Sequence, residues 1–240
     1  MTFIFAIPIF FMTLFRISIA PDSFLGRGGY WWSRWVLWAA GVKVVVRNPE
    51  RIQRGTSAVY ASNHVSWFEI FALATVIDRY RFMAKKEIQR LPLFGSAAGA
   101  VAAIYIERQS LKQAFGSYEE AAERIKSGLN VAVYPEGTRG RSYQLRPFKK
   151  GPFVLAIAAQ VPIVPLISWG SREVQAKGEI AIHPGTIELT FLEPVETKGL
   201  TYDDRDALVQ TVWNRIAAAL AEKGVPISGA AREAPAMQTE

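Results

Sequence analysis

From Val42 onward, short runs rich in β-branched residues alternate with longer segments of helical period. That alternation limits the fold more than any other feature of the chain. Segments 42–47, 58–61, 103–106, 131–134, 161–168 and 187–191 read as strands, by their Val and Ile content and by the Gly, Pro and Asn clusters that bound them. Segments 68–77, 111–127, 153–159 and 203–222 read as helices. Strands interleaved with helices predict an α/β fold, with a mixed, largely parallel sheet flanked by helices. A chain of 240 residues suits one main domain with a small appendage, and no internal repeat is visible.

The appendage is the N-terminus. Residues 3–15 form an almost unbroken apolar run, short of the roughly 20 residues a helical span needs. Extended to Ala20 it takes in Arg16, whose long stem can carry its charge to the headgroups. No basic residue precedes the run, so a secretory signal peptide fits poorly. Pro21, Asp22 and Gly26 break the chain before a second stretch, 30–40, which carries Trp31, Trp32, Trp35 and Trp38. Trp favours the boundary between acyl chains and headgroups. Residues 1–41 are therefore read as a membrane-associated helical hairpin dipped into one leaflet. A single span and a helix pair packed only on the core are the alternatives. Seven Lys and Arg against two Asp and Glu over residues 1–60 suit an anionic cytoplasmic leaflet. The tail 224–240, rich in Ala, Pro and charge without periodicity, is expected to be disordered, leaving 42–223 as the main domain.

Composition removes several chemistries. The absence of cysteine excludes disulfides, thiol catalysis and Cys-ligated metal. Two histidines leave no multi-histidine metal site. A net charge of +7 favours anionic partners. Nucleic acid is a poor fit among them, because the N-terminal Trp cluster lies in an apolar segment and is not interleaved with the basic run.

Two blocks carry candidate chemistry. In the first, Asn63-His64-Val65-Ser66-Trp67-Phe68-Glu69 follows a strand and opens a helix. On one straight helix His64 and Glu69 would lie about 140° apart and could not meet. With His64 in the preceding turn and Glu69 in the first helical turn they can, and a carboxylate on one imidazole nitrogen makes the other a better base. The same residues also spell a capping box, Ser66-x-x-Glu69, which needs no catalysis. In the second block, Tyr134-Pro135-Glu136-Gly137-Thr138-Arg139 ends a buried strand in a turn. Arg139, Arg141, Arg146, Lys149 and Lys150 follow with no acid among them. Arg139 offers a planar donor fork suited to phosphate; a solvated basic loop is the plainer alternative. His183, before Pro184, and Glu107 are read as structural or solvated.

Together the blocks resemble the membrane glycerolipid acyltransferase family, best known from 1-acyl-glycerol-3-phosphate acyltransferases. The family's N-H-x-x-x-x-D motif is matched at 63–69 with Glu69 in place of Asp, and its F/Y-P-E-G-T-R string is complete at 134–139. Its second motif is matched by Lys86, Pro92, Gly95 and Tyr105-Ile106-Glu107-Arg108, and its V-P-I-x-P string by 161–165. All four stand in family order over 58–168.

The resemblance implies transfer of an acyl group from acyl-CoA or acyl carrier protein to the sn-2 hydroxyl of a 1-acyl-glycerol-3-phosphate, giving phosphatidic acid. It makes His64 the base, oriented by Glu69. Arg139, with Lys86 or Arg108, would hold the acceptor phosphate. Glu136 and Gly137 would shape the acceptor pocket, with Thr138 assisting. No metal, resident cofactor or covalent acyl-enzyme is implied, since a thioester is already activated. The expected partners are the lysophospholipid, the thioester carrier and the membrane, at the cytoplasmic face of a bacterial inner membrane. Two other readings stay open: another lysolipid acceptor such as lyso-ornithine lipid, and a non-catalytic membrane lipid-binding module.

Overall fold

The computed structural model of the chain describes residues 27–85, 103–106 and 121–227. Seven strands form one sheet: β1 (Val42–Arg47), β2 (Val59–Ser62), β3 (Tyr80–Lys85), β4 (Ala103–Ile106), β5 (Asn130–Val133), β6 (Ile163–Trp169) and β7 (Gly185–Phe191). Their order is β1-β7-β6-β2-β5-β3-β4. Strands β6, β2, β5, β3 and β4 are mutually parallel, and β1 is parallel to β7. Among the described strands the antiparallel junction is β6 with β7. The sheet is thus mixed and largely parallel, as the alternation of strands and helices predicts.

Alternate residues of the central strands feed opposite faces. Val59, Ala61, Val131, Val133, Ile163 and Ile167 join a core that includes Phe153 and Leu155 of α3 (Gly151–Ala159) and Val209, Val212 and Ile216 of α5 (Arg205–Glu222). Tyr60, Ala132, Val164 and Leu166 join the other core, with Leu37 of α1 (Gly28–Ala39) and Phe68, Ala72 and Leu73 of α2 (Phe68–Ala74). Burial on both faces is what parallel strands with helical crossovers require.

Three differences from the sequence reading have physical causes. Residues 80–85 carry no alternation, yet form β3 between β5 and β4. Both faces of this strand are covered, and even Arg81 is buried, donating 2.8 Å to the Tyr80 carbonyl while burial pulls its guanidinium down to about 10. A one-turn helix, α4 (Ser171–Val174), follows β6 directly and is too short to show periodicity. Helix α2 ends at Ala74, three residues before the expected end at 77.

Helix α1 packs on the domain. Trp32 meets Phe71 edge to face at 5.0 Å, and Ser33 and Leu37 are buried, whereas Trp31 and Trp38 face solvent. No helix among the described residues is long and apolar enough to cross a membrane. The first arm of the expected hairpin, residues 1–26, lies outside the described residues. So does the tail beyond Ile227, just after Val225 packs against the core.

Candidate active site

Because β6, β2 and β5 are adjacent and parallel, their carboxyl ends open on one edge of the sheet, where α/β folds gather ligands. Strand β2 delivers Asn63 and His64, β5 delivers Tyr134 to Arg139, and β6 delivers Gly170 and Ser171.

Asn63 fixes the first of these exits. Its amide donates 3.1 Å to the Ser168 carbonyl, and its Oδ1 accepts the Ser168 N–H at 2.8 Å, binding the end of β2 to β6. His64 follows in the turn. Its N–H donates 2.9 Å to Glu136 Oε1, and its carbonyl accepts the Gly140 N–H at 2.6 Å. The loop after β5 therefore clamps the His64 backbone from both sides.

Glu69 lies in the first turn of α2, wholly buried. Its Oε2 is 2.6 Å from His64 Nδ1. Its Oε1 accepts the Val65 and Ser66 N–H groups at 2.9 and 3.1 Å and the Ser171 hydroxyl at 2.7 Å. Glu69 thus meets the His64 ring with one oxygen and the backbone leading into α2 with the other. The Ser66 hydroxyl accepts the Phe68 N–H at 3.2 Å, but the N-cap of α2 is Trp67, one residue later than the capping-box reading places it, because the turn that carries His64 extends through Ser66. With Nδ1 committed to a carboxylate, the neutral imidazole carries its proton there, and Nε2 is left as a lone-pair acceptor. Among the described residues no side chain bonds Nε2.

The imidazole is sandwiched. Tyr134 stacks on it at 3.9 Å and 21°, and Trp67 meets it edge to face at 6.5 Å. Burial holds the Tyr134 phenol well above its ordinary range, so the stacked ring stays neutral. A neutral π face stabilises an imidazolium through cation–π attraction.

The second block divides its labour. Glu136 is buried and spends both oxygens internally, on the His64 N–H and on Arg146 Nε at 3.2 Å. Burial raises its carboxyl above the usual range, against the lowering pull of these two partners. Arg146 also donates to the Thr138 carbonyl, closing the turn over Gly137, whose φ of 77° suits glycine. The Thr138 residue is exposed. Arg139 places its guanidinium 4.8 Å over the Trp67 ring, at the rim of the His64 site. Partial burial lowers its pKa, opposed by the charge of Glu69.

The structure brings His64, Glu69, Glu136, Gly137, Thr138 and Arg139 to one edge. Lys86 and Arg108 lie outside the described residues. They follow β3 and β4, which run parallel to β5. Sequence reasoning missed Ser171, which has no motif of its own, and assigned no role to Tyr134 or Trp67 although both stand within the matched strings. Among the described residues no three His, Asp or Glu gather as metal ligands.

Comparison with known proteins agrees with this geometry. Residues 43–169 match the family model described as Acyltransferase. Human 1-acyl-sn-glycerol-3-phosphate acyltransferase beta is 35% identical over 183 residues, covering 75% of this chain and 66% of that protein. The mouse alpha form is 34% identical over 175 residues, covering 72% of this chain and 61% of that protein. The 1-acyl-sn-glycerol-3-phosphate acyltransferase of Limnanthes douglasii is 32% identical over 179 residues, covering 74% and 63%. The matched stretch thus spans somewhat under two thirds of these relatives. The crystal structure of the 1-acyl-sn-glycerophosphate acyltransferase PlsC from Thermotoga maritima superposes with a TM-score of 0.70 at 22% identity, covering 94% of this chain and 97% of that one, which is a likeness of fold. By the match over residues 43–169, which takes in both motif-bearing loops, and by the likeness to these relatives, the chain belongs to the acyltransferase family.

Proposed function

We propose that this protein transfers a fatty acyl group from an acyl thioester, acyl-CoA or acyl carrier protein, to the sn-2 hydroxyl of 1-acyl-glycerol-3-phosphate, forming phosphatidic acid. The observation that carries this reading is the 2.6 Å contact of His64 Nδ1 with Glu69, which leaves Nε2 as an acceptor at the mouth of the site. The names of the relatives point to the same acceptor.

His64 Nε2 takes the proton of the acceptor hydroxyl as its oxygen attacks the thioester carbon. Glu69 stabilises the imidazolium from one side and the Tyr134 face from another. Collapse of the tetrahedral intermediate breaks the C–S bond, and the imidazolium returns its proton to the leaving thiolate. Because the thioester is already activated, the scheme calls for neither a metal nor an acyl-enzyme. Arg139, at the rim, binds the acceptor phosphate together with Lys86 or Arg108, and the turn of Gly137 and Thr138 borders the same space.

Acceptor and product are both lipids. Residues 1–26 and the Trp-bearing α1 accordingly attach the domain to a bilayer, at the cytoplasmic face of a bacterial inner membrane. A long acyl chain exposed to water costs about 0.8 kcal/mol per CH₂, which favours a site at the leaflet boundary.

The deciding experiment measures acyl transfer from labelled acyl-CoA and acyl carrier protein to lysophosphatidic acid, in membranes carrying the wild type or His64→Ala. Turnover in the wild type that falls by about 10²–10⁴-fold in the variant is the expected result. Equal turnover in both removes His64 as the base. No turnover in either moves the acceptor to another lysolipid.

A further inference from the structure

We propose that the loop joining α4 to β7, residues 175–184, is a second membrane-contact element, with Ile180 and Ile182 entering the headgroup–acyl boundary of an anionic bilayer. The inference rests on the reading that the substrates are lipids, and it adds a docking surface remote in sequence from the N-terminal segment.

Every residue from Lys177 to Pro184 is exposed. Within this stretch Ile180 is 93% exposed and Ile182 49%, flanking Ala181. Single exposed apolar residues are ordinary on protein surfaces, whereas a loop that holds two isoleucines outward is not covering any core. The base of the loop is fixed. The His183 N–H donates 2.9 Å to the Val174 carbonyl, and Gly185 enters the sheet in register with Val42.

The loop also borders the site. Lys177 Nζ donates 2.8 Å to the Arg139 carbonyl, and the Arg139 guanidinium lies over Trp67, the ring that meets His64. Arg172 Nε donates to the Arg141 carbonyl at 2.8 Å, joining the start of α4 to the same basic segment. On its other flank the Gly185 N–H reaches the Gly41 carbonyl at 3.4 Å, just after α1, whose last turn carries Trp38 at 78% exposure. Exposed apolar groups therefore flank the loop on both sides: Trp67 at the rim of the site and Trp38 at the end of α1.

Charge fits an anionic surface. Arg139, Arg141, Arg172 and Lys177 stand against Glu173 and Glu179, and Glu173 is engaged by the Tyr143 hydroxyl at 2.7 Å. Apolar side chains for the acyl boundary beside cations for lipid phosphates make the composition of an interfacial contact.

The test uses the absence of native cysteine. Full-length Ile180→Cys is labelled with an environment-sensitive fluorophore and reconstituted in phosphatidylcholine vesicles containing about one third phosphatidylglycerol. Lys198→Cys is the reference: it is exposed and follows Val195 and Thr197, which bond Ile163 and Val161 at the opposite end of β6. The expected result is strong quenching at position 180 by doxyl-labelled lipid with protection from aqueous iodide, and the reverse at 198. Iodide quenching at 180 equal to that at 198, or lipid quenching equal at both positions, overturns the proposal. Acyl transfer is assayed on the same vesicles. Turnover with a water-exposed probe at 180 defeats the loop alone, and a lipid-embedded probe without turnover defeats the proposed reaction alone.

Discussion

Glu69 Oε2 lies 2.6 Å from His64 Nδ1 because Glu69 Oε1 is held from behind by the Val65 and Ser66 N–H groups and the Ser171 hydroxyl. Four donors thus converge on one buried carboxylate, and the same bonds that hold the turn before α2 orient the His64 ring. Glu69→Gln keeps an acceptor for the cap but removes the charge opposite the imidazolium. It can also present N–H₂ to Nδ1, which forces the proton onto Nε2. The expected loss in kcat is about 10³–10⁴-fold. Glu69→Ala strands the three rear donors and should lower stability by at least about 3 kcal/mol. Chemical denaturation beside steady-state kinetics separates the two variants; a Gln variant at wild-type kcat removes Glu69 from catalysis.

Ser171 bonds Glu69, which bonds His64, so in the proposed reaction it positions the base through Glu69. Ser171→Ala deletes one buried hydrogen bond to a carboxylate, worth about 1.5–3 kcal/mol, and frees Glu69 to turn. The expected signs are a several-fold drop in kcat, an unchanged KM for the acceptor and a shifted acid limb in the pH–rate profile. Ser171→Thr, which keeps the hydroxyl, should recover part of the rate if the buried space admits its methyl group. A change in KM alone would place Ser171 in substrate binding instead.

In the proposed reaction Arg139 reads the phosphomonoester of the acceptor. Arg139→Ala should cost about 10- to 100-fold in kcat/KM with lysophosphatidic acid, the worth of a charge-assisted contact. A phosphodiester lysolipid should be affected far less. Equal losses on both acceptors would count against phosphate reading by this residue.

Glu136 sets a pH dependence of stability. Burial raises its carboxyl above the usual glutamate range, so the folded chain binds this proton more tightly than the unfolded chain does. Stability from this group is therefore greatest below the ordinary glutamate pKa and falls as pH rises through the raised folded value. Glu136→Gln removes that slope. Melting temperatures of the two proteins, taken from mildly acidic to neutral pH, should diverge with the wild type losing more on the way up. Parallel curves would show that Arg146 and the His64 N–H fully offset the burial.

Much of this was legible in the sequence because it depends on local pattern. The Val- and Ile-rich runs at 42–47, 103–106 and 187–191 lie within strands, and the turn before Phe68 places His64 and Glu69 within reach. The remainder depends on neighbours far along the chain. Strand β3 shows no alternation because it is an interior strand between β4 and β5 with side chains in both cores, Met83 in one and Tyr80 and Phe82 in the other. Ser171 touches Glu69 across 102 positions of sequence, and no local signal marks such a contact. The Ser66-x-x-Glu69 string reads as a choice between cap and dyad because the sequence does not show that the turn from His64 to Trp67 brings the ring to one Glu69 oxygen and the backbone to the other.

The reversed edge of the sheet carries a consequence for biosynthesis. Among the described residues β1 pairs only with β7, Val42 facing Gly185, so this early strand has no hydrogen-bonding neighbour among them until β7 has emerged. Through that interval the strand and α1 just before it stay tethered to the N-terminal segment without a sheet to join. Pairing across so long a separation in sequence is slow to form. An amino-terminal segment that reached a bilayer early would keep this edge of the nascent chain close to the lipid while the rest of the domain closes onto it.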